Sequence, residues 1–213
     1  MIVKKMEQQS GTRRDRKKAK LRAELVEAAI SLFKDNGFEK TRIEDIAVAV
    51  DVAVATVYNY FSTKQQILVE IVSKTTDDTV PAVLAIVENP PKNPVDAVLS
   101  LIKTDFGNLD DKADKKLWRE LLASMNRDQE NRERIEEIRG RFRGSLRQLI
   151  KALVHKRQLA ASADIEALVD ISYAIYAYHF RQLVCIDRMT TAHTLKLIRR
   201  DVKALFSGFL MTV

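Results

Sequence analysis

At 213 residues the chain can bury a substantial core, either as one domain or as a small module joined to a larger one. Hydrophobic residues make up 46% and Gly and Pro only 6 and 4 residues, which suits a helical globular protein and argues against extended disorder. The formal charge of +7 suggests an anionic partner, but basic residues outnumber acidic ones by 13 to 10 in residues 1–70 and by 23 to 19 beyond, so neither half carries the whole excess. Cys185 is the single cysteine, which excludes an intrachain disulfide. MIVKKMEQQS has no apolar run long enough for a signal peptide, and nothing approaches the roughly 20 apolar residues of a membrane span. The expectation is a cytoplasmic chain without a membrane partner.

The concentrated charge is RRDRKKAKLR, residues 13–22, with seven Lys or Arg against one Asp. Such a run can neutralise phosphates and would make binding salt-dependent. A solvated basic tail fits the composition equally well. From about Thr12 the pattern becomes helical, with Leu21, Leu25, Ala28, Ala29, Leu32 and Phe33 on one face. Asn36-Gly37 stops the helix, since Gly accepts positive φ, and Phe38 folds back on the preceding turn.

Thr41 and Glu44 have capping-box spacing at the start of a second helix, which buries Ile43, Ile46, Ala47 and Val50. Asp51-Val52 marks a turn, and a third helix starts near Ala53 or Val54. Val57 and Phe61 belong to the core, leaving Val54, Ala55, Thr56, Tyr58, Asn59 and Tyr60 on the outer side. A helix so presented fits the DNA major groove, where Thr56 and Asn59 can hydrogen-bond and Val54 and Ala55 offer apolar contact. Ser62-Thr63-Lys64-Gln65 resembles another capping box, beginning a helix to about Thr79 that Pro81 and Pro90-Pro91-x-x-Pro94 interrupt.

Residues Phe33 to Leu68 closely resemble the DNA-binding domain of the TetR family of transcriptional regulators, through FKDNGFEKTRIEDIA, TVYNYF and STKQQIL. The resemblance implies an all-α chain. Residues 1–14 would be a flexible basic arm and 15–61 a three-helix helix-turn-helix domain. Residues 62–80 would be a connecting helix and 81–213 a helical effector-binding and dimerisation domain. By the same resemblance Thr41, Tyr58, Tyr60 and Lys64 would contact phosphates, while Val54, Ala55, Thr56 and Asn59 face the groove. Arg13, Arg14 and Arg16 reach a neighbouring groove or touch phosphates only. Two positions depart from the family pattern: Asp51 stands where Gly is frequent, and Ala53 where Ser or Thr caps. Asp is less at ease than Gly at positive φ, and Ala accepts no capping bond, a loss of about 1 kcal/mol.

Beyond the connecting helix, approximate helices follow at 94–109, 114–127, 130–157, 164–187 and 191–210. QENRERIEEIRGRFRGSLRQ alternates charge as an exposed face does, and Gly140 and Gly144 either admit close packing or weaken the helix. The last two helices are apolar on more than one side, which calls for a second packing partner. Ile171, Ile175, Tyr178, Gln182, Leu195, Ile198, Val202, Leu205, Phe206 and Phe209 are the expected homodimer interface, presenting two reading helices to a palindromic double-stranded operator. Phe106, Trp118, Met125, Phe142, Tyr173, Tyr176 and His179 are the candidates to line a pocket for a small apolar or amphipathic effector.

His155, His179, His193 and Cys185 form no metal-ligand pattern, and no P-loop, dinucleotide fingerprint or H-E-x-x-H occurs. No catalytic, metal or cofactor site is therefore expected. The resemblance implies a repressor released from its operator by a small molecule. The alternatives are a constitutive DNA binder and, further off, a helical enzyme or ligand carrier.

Overall fold

The computed structural model describes residues 12–107, 109–125 and 128–209. Among these residues the chain is helical without strands: α1 (Arg13–Asn36), α2 (Ile43–Ala49), α3 (Val54–Tyr58), α4 (Lys64–Glu88), α5 (Pro94–Phe106), α6 (Lys112–Ser124), α7 (Gln129–His155), α8 (Ile165–Cys185) and α9 (Thr191–Phe206). It forms two compact units, divided between Ile67 and Leu68.

In the N-terminal unit, α1 begins one residue after Thr12, whose hydroxyl accepts from the Asp15 amide while the Asp15 carboxylate accepts from the Thr12 amide. The Thr12 hydroxyl, 2.8 Å from Asp15 Oδ2, and the Thr12 amide together hold the Asp15 carboxyl below its ordinary range. Arg13 and Arg14 thus lie in a helical turn, not in a flexible arm, and the rest of the expected arm (1–11) lies outside the described residues. Leu25, Val26, Ala29 and Phe33 bury one face of α1. Gly37 ends the helix at φ 83°, a value that suits Gly, and Phe38 turns back with its ring edge-on to Phe33 at 5.0 Å. Phe33, Phe38 and Phe61 are almost fully buried with Ile46 and Val57. Each such side chain is worth about 2 kcal/mol of apolar burial.

The C-terminal unit is a bundle built on α5, α7, α8 and α9, whose shared core includes Val98, Leu101, Leu146, Leu149, Leu183 and Val202. Asn93, Asp111, Asp128, Asp164 and Thr190 cap the N-termini of α5 to α9 through side-chain acceptors. Lys115 is buried in α6 with its ammonium donating to the carbonyls of Met189 and Asp187, and Arg119 Nε donates to the Val184 carbonyl at 2.8 Å. One face of α6 is thereby fastened to the end of α8 and the loop before α9.

Pro81 does not interrupt its helix: α4 continues through it to Glu88. Proline removes one backbone donor and costs about 3 kcal/mol in a helix interior. Packing offsets that cost, because Val83, Ile86 and Val87 lie against the unit's core. On the preceding turns, Arg141 pairs with Asp77 and donates to the Ser73 hydroxyl at 3.2 Å, clamping α4 to α7. Gly140 and Gly144 have nothing within 4 Å of an added Cβ, so close helix approach is not their role.

Candidate nucleic-acid interface and ligand cluster

The turn between α2 and α3 depends on Asp51. Its φ is 55°, and its amide donates to the Val48 carbonyl at 3.1 Å while the Val52 amide donates to Ala47 at 3.0 Å. Asp tolerates this left-handed geometry better than most residues, at some cost relative to Gly. Ala53 is the N-cap of α3 and makes no side-chain capping bond. The Thr56 amide is instead met by the Ala53 carbonyl at 2.8 Å.

On α3, Val57 is fully buried and fixes which side points outward. Ala55, Tyr58 and Asn59 are exposed; Val54, Thr56 and Tyr60 are half-buried. Among the described residues the side chains of Thr56, Tyr58, Asn59 and Tyr60 make no hydrogen bond, so their donors and acceptors are open to a partner. Arg13, Arg14 and Arg16 are likewise exposed, in the first turn of α1, where backbone amides and guanidiniums together favour an anion.

Two expected phosphate contacts have other occupations. Thr41 is fully buried, and its hydroxyl is shared with the carbonyls of Gly37 at 2.9 Å and Leu32 at 3.1 Å. It seals the α1–α2 loop and does not reach outward. Lys64 turns its ammonium onto the same loop, donating to Phe38 O at 2.7 Å, Thr41 O at 2.8 Å and Glu39 O at 3.3 Å, over the Phe38 ring at 4.6 Å. Three N–H donors meet three carbonyls, so the group holds the loop and has no donor to spare for a phosphate.

Neither expected capping box forms at its predicted residues: α2 has no side-chain cap, and the box at α4 is displaced by one residue. α2 starts after Arg42, whose amide donates to Asp45 Oδ2 at 2.7 Å, because Thr41 is committed to the loop. At α4 the Gln66 amide donates to Thr63 Oγ1 at 3.2 Å and the Ser62 amide to Gln66 Oε1 at 2.7 Å. The Thr12–Asp15 box went unread in the sequence, though its Thr-x-x-Asp spacing is the same signal.

In the C-terminal unit, Phe106, Trp118, Phe142, Tyr173 and Tyr176 come together, joined by Phe180. Tyr176 sits in the middle, with ring centroids 4.4 Å from Phe142, 5.7 Å from Phe106 and 5.8 Å from Phe180. Trp118 meets Phe180 edge-on at 4.9 Å. The Tyr176 hydroxyl donates to Asp105 Oδ2 at 2.6 Å. Burial pushes the Asp105 carboxyl up to about 6 against the opposing effect of that hydrogen bond, and burial beside Asp105 raises Tyr176 well above its ordinary value. Nothing in the sequence pairs two residues 71 apart, so Asp105 and Phe180 were not among the candidates.

His179 and Met125 fall outside this cluster of rings. His179 is buried against α9, with Nε2 2.7 Å from Asp201 Oδ2. Met125 caps α6 and lies 3.7 Å from Arg139 Nη2. An open cleft of about 350 Å³ runs elsewhere, between α5 and α9, lined by Asp96, Ser100, Lys103, Leu195, Lys196 and Arg199. It includes none of the expected pocket residues.

The expected dimer face also divides. Ile198, Val202 and Phe206 are completely buried in their own chain's core, which is where the main stripe of α9 belongs. Leu195, Leu205, Phe209 and Ile175 pack partly against that core, and Gln182 is half-buried. Ile171 and Tyr178, seven residues apart on α8, remain 46% and 62% exposed.

Among the described residues no group of three or more His, Cys, Asp or Glu is placed to hold a metal ion, and no helix is long and apolar enough to cross a membrane. Residues 25–71 match the family described as bacterial regulatory proteins, tetR family. The HTH-type transcriptional regulator TcmR of Streptomyces glaucescens is 31% identical over 100 residues, 46% of this chain; the match spans only 42% of that relative's length. Among solved structures, a protein of Saccharomonospora viridis assigned as a transcriptional regulator, in complex with choline, has a TM-score of 0.64 at 15% identity, covering 91% of this chain and 100% of its own. The transcriptional regulator FadR of Bacillus subtilis, in complex with stearoyl-CoA, has a TM-score of 0.63 at 17% identity, covering 87% and 98%. The structural likenesses extend the shared fold over most of the chain, and residues 25–71 are similar to the DNA-binding segment of bacterial regulatory proteins of the tetR family.

Proposed function

We propose that the chain is a transcriptional regulator that binds operator DNA as a homodimer through α3 and is released by a small molecule held in the C-terminal unit. The observation that carries the DNA reading is the outer side of α3 and the turn after it, where Thr56, Tyr58, Asn59 and Tyr60 keep their polar atoms unoccupied around buried Val57. Thr56 and Asn59 take base edges, and Tyr58 and Tyr60 take phosphates. Val54 and Ala55 approach the groove floor, and Arg13, Arg14 and Arg16 add phosphate contacts. Lys64 and Thr41 act at one remove, by fixing the loop that precedes α2.

One α3 is a short reader, so a second copy is needed to give a site useful specificity. Ile171 and Tyr178, exposed on α8 beside Ala174 and Cys185, are the centre of the proposed self-association face. The effector reading rests on the ring cluster about Tyr176, which has an apolar wall and one hydrogen-bonded carboxylate. The chain's structural neighbours include one holding choline and one holding stearoyl-CoA, so the fold by itself does not choose the ligand's chemistry. The rings now pack on one another, so a ligand must part them. It then favours one of two states in proportion to its differential affinity.

The test is selection of genomic fragments by the purified protein, with molecular mass measured alongside. The expected result is a two-fold symmetric site bound by a dimer, and loss of both dimer and binding in an Ile171→Asp, Tyr178→Glu variant. Tight binding of a single half-site by a monomer contradicts the dimeric reading.

A further inference from the structure

Asp105 is the feature of the C-terminal unit that apolar packing does not explain. It lies in the last turn of α5, where free carbonyls already carry partial negative charge that opposes a carboxylate. Tyr176 donates to its Oδ2, and among the described residues its Oδ1 has no hydrogen-bond partner and neither oxygen an ion pair. The two nearby guanidiniums are engaged elsewhere: Arg139 with Glu136 at 2.7 Å, and Arg143 over the Tyr173 ring at 5.2 Å. The side chain is half-buried, so water reaches it only in part, and a carboxylate so placed favours a counter-charge, further donors or a proton. Here it has one donor, and the ring of that donor is packed among Phe106, Phe142, Tyr173 and Phe180. Aromatic faces and a lone carboxylate attract the same kind of group.

We propose that Asp105 and the rings about Tyr176 form a recognition site for an organic cation, an amine or quaternary ammonium group on an apolar body. This rests on the effector-responsive function proposed above and names the ligand's charge. The cation takes the counter-ion place beside Asp105, and its body parts Phe142 from Tyr176, whose rings are 4.4 Å apart without it. The outward-facing lysines of the α5–α9 cleft play no part.

The experiment titrates full-length protein, free and on its selected operator, with benzyltrimethylammonium, its neutral isostere neopentylbenzene and the anion phenylacetate. Asp105→Asn, whose amide oxygen still accepts the Tyr176 hydroxyl, removes the charge with little change of shape. The expected result is that the cation binds and weakens operator affinity, and that Asp105→Asn lowers its affinity at least about tenfold while leaving the neutral isostere nearly unchanged. Equal binding of cation and isostere, or a cation affinity unmoved by Asp105→Asn, overturns the proposal. If the isostere or the anion releases DNA in both proteins while the cation does not, the charge assignment falls and the effector reading stands. If none of the three binds or changes operator affinity, the cation proposal falls; a broad metabolite panel that also leaves operator affinity unchanged then removes the effector reading with it.

Discussion

Replacing Lys64 by Met keeps the apolar stem over Phe38 and removes the ammonium that holds the α1–α2 loop. Three carbonyls lose a charged donor, at 2.7, 2.8 and 3.3 Å. Hydrogen bonds to charged groups contribute about 1.5–3 kcal/mol in a buried setting. The two short bonds are part-buried and the longest is exposed, so a net loss of about 2 kcal/mol is expected, with about 0.5 more from the cation–π contact at 4.6 Å. The assay is amide hydrogen exchange over residues 32–47. A local loss of about 2 kcal/mol means exchange roughly 30-fold faster there. Operator affinity should fall as well, because the loop seats α2 and α2 seats α3. Unchanged exchange together with a large loss of DNA affinity refutes the tether and returns Lys64 to direct phosphate contact.

Other expectations follow from single positions. Asp51→Gly relieves the positive φ and should stabilise the N-terminal unit by up to about 1 kcal/mol. Ala53→Ser should add about 0.5–1 kcal/mol by giving α3 a capping acceptor; denaturant midpoints followed by far-UV circular dichroism check both. Gly140→Ala and Gly144→Ala should each stabilise α7 by roughly 1 kcal/mol, since the added methyl meets open space, and an unchanged or lowered midpoint contradicts this. Asp105 gives a pH signature: its folded value of about 6 lies above its ordinary 3.8, so its contribution improves as pH falls through 6 and levels off below about 4. Above pH 7 the ionised group costs at most about 3 kcal/mol, less what solvent returns to a half-buried side chain. Tyr176 and Tyr173 face it, with Arg139, Arg143 and Glu136 behind them. Asp105→Asn should therefore exceed the parent in stability at pH 8 and lose that advantage near pH 4, as read by Trp118 fluorescence beside the cluster. A constant difference across that range contradicts the burial argument.

What the sequence made legible is what local chemistry decides. Gly37 and Phe38 announce the end of α1, Val57 and Phe61 mark the inner side of α3 and the turn after it, and Asp51 and Ala53 show that α3 has a strained approach and no cap. Capping boxes are visible as spacings, but Thr41 shows why register slips. Its hydroxyl finds carbonyls nine and four residues back, and α2 begins after Arg42 without a side-chain cap, its Arg42 amide donating to Asp45. Pro81 reads as a helix stop until the packing of Val83, Ile86 and Val87 is counted. The α9 stripe reads as an interface because apolar periodicity does not say which surface covers it; α5 and α8 of the same chain do. Asp105 and Tyr176, 71 residues apart, meet only in the folded bundle, which no short motif encodes.

DNA reading by the outer side of α3 is the step on which the proposed function turns. Its most direct test is the affinity of the purified protein for its selected operator, at two salt concentrations, before and after Thr56→Ala with Asn59→Ala. Neither residue supports the fold through a side-chain hydrogen bond among the described residues, so the variant should remain folded. Salt-sensitive binding is expected of the parent, with a loss of about 10- to 100-fold in the variant, as for base contacts worth about 1–3 kcal/mol. Equal affinity of parent and variant for that operator would contradict it.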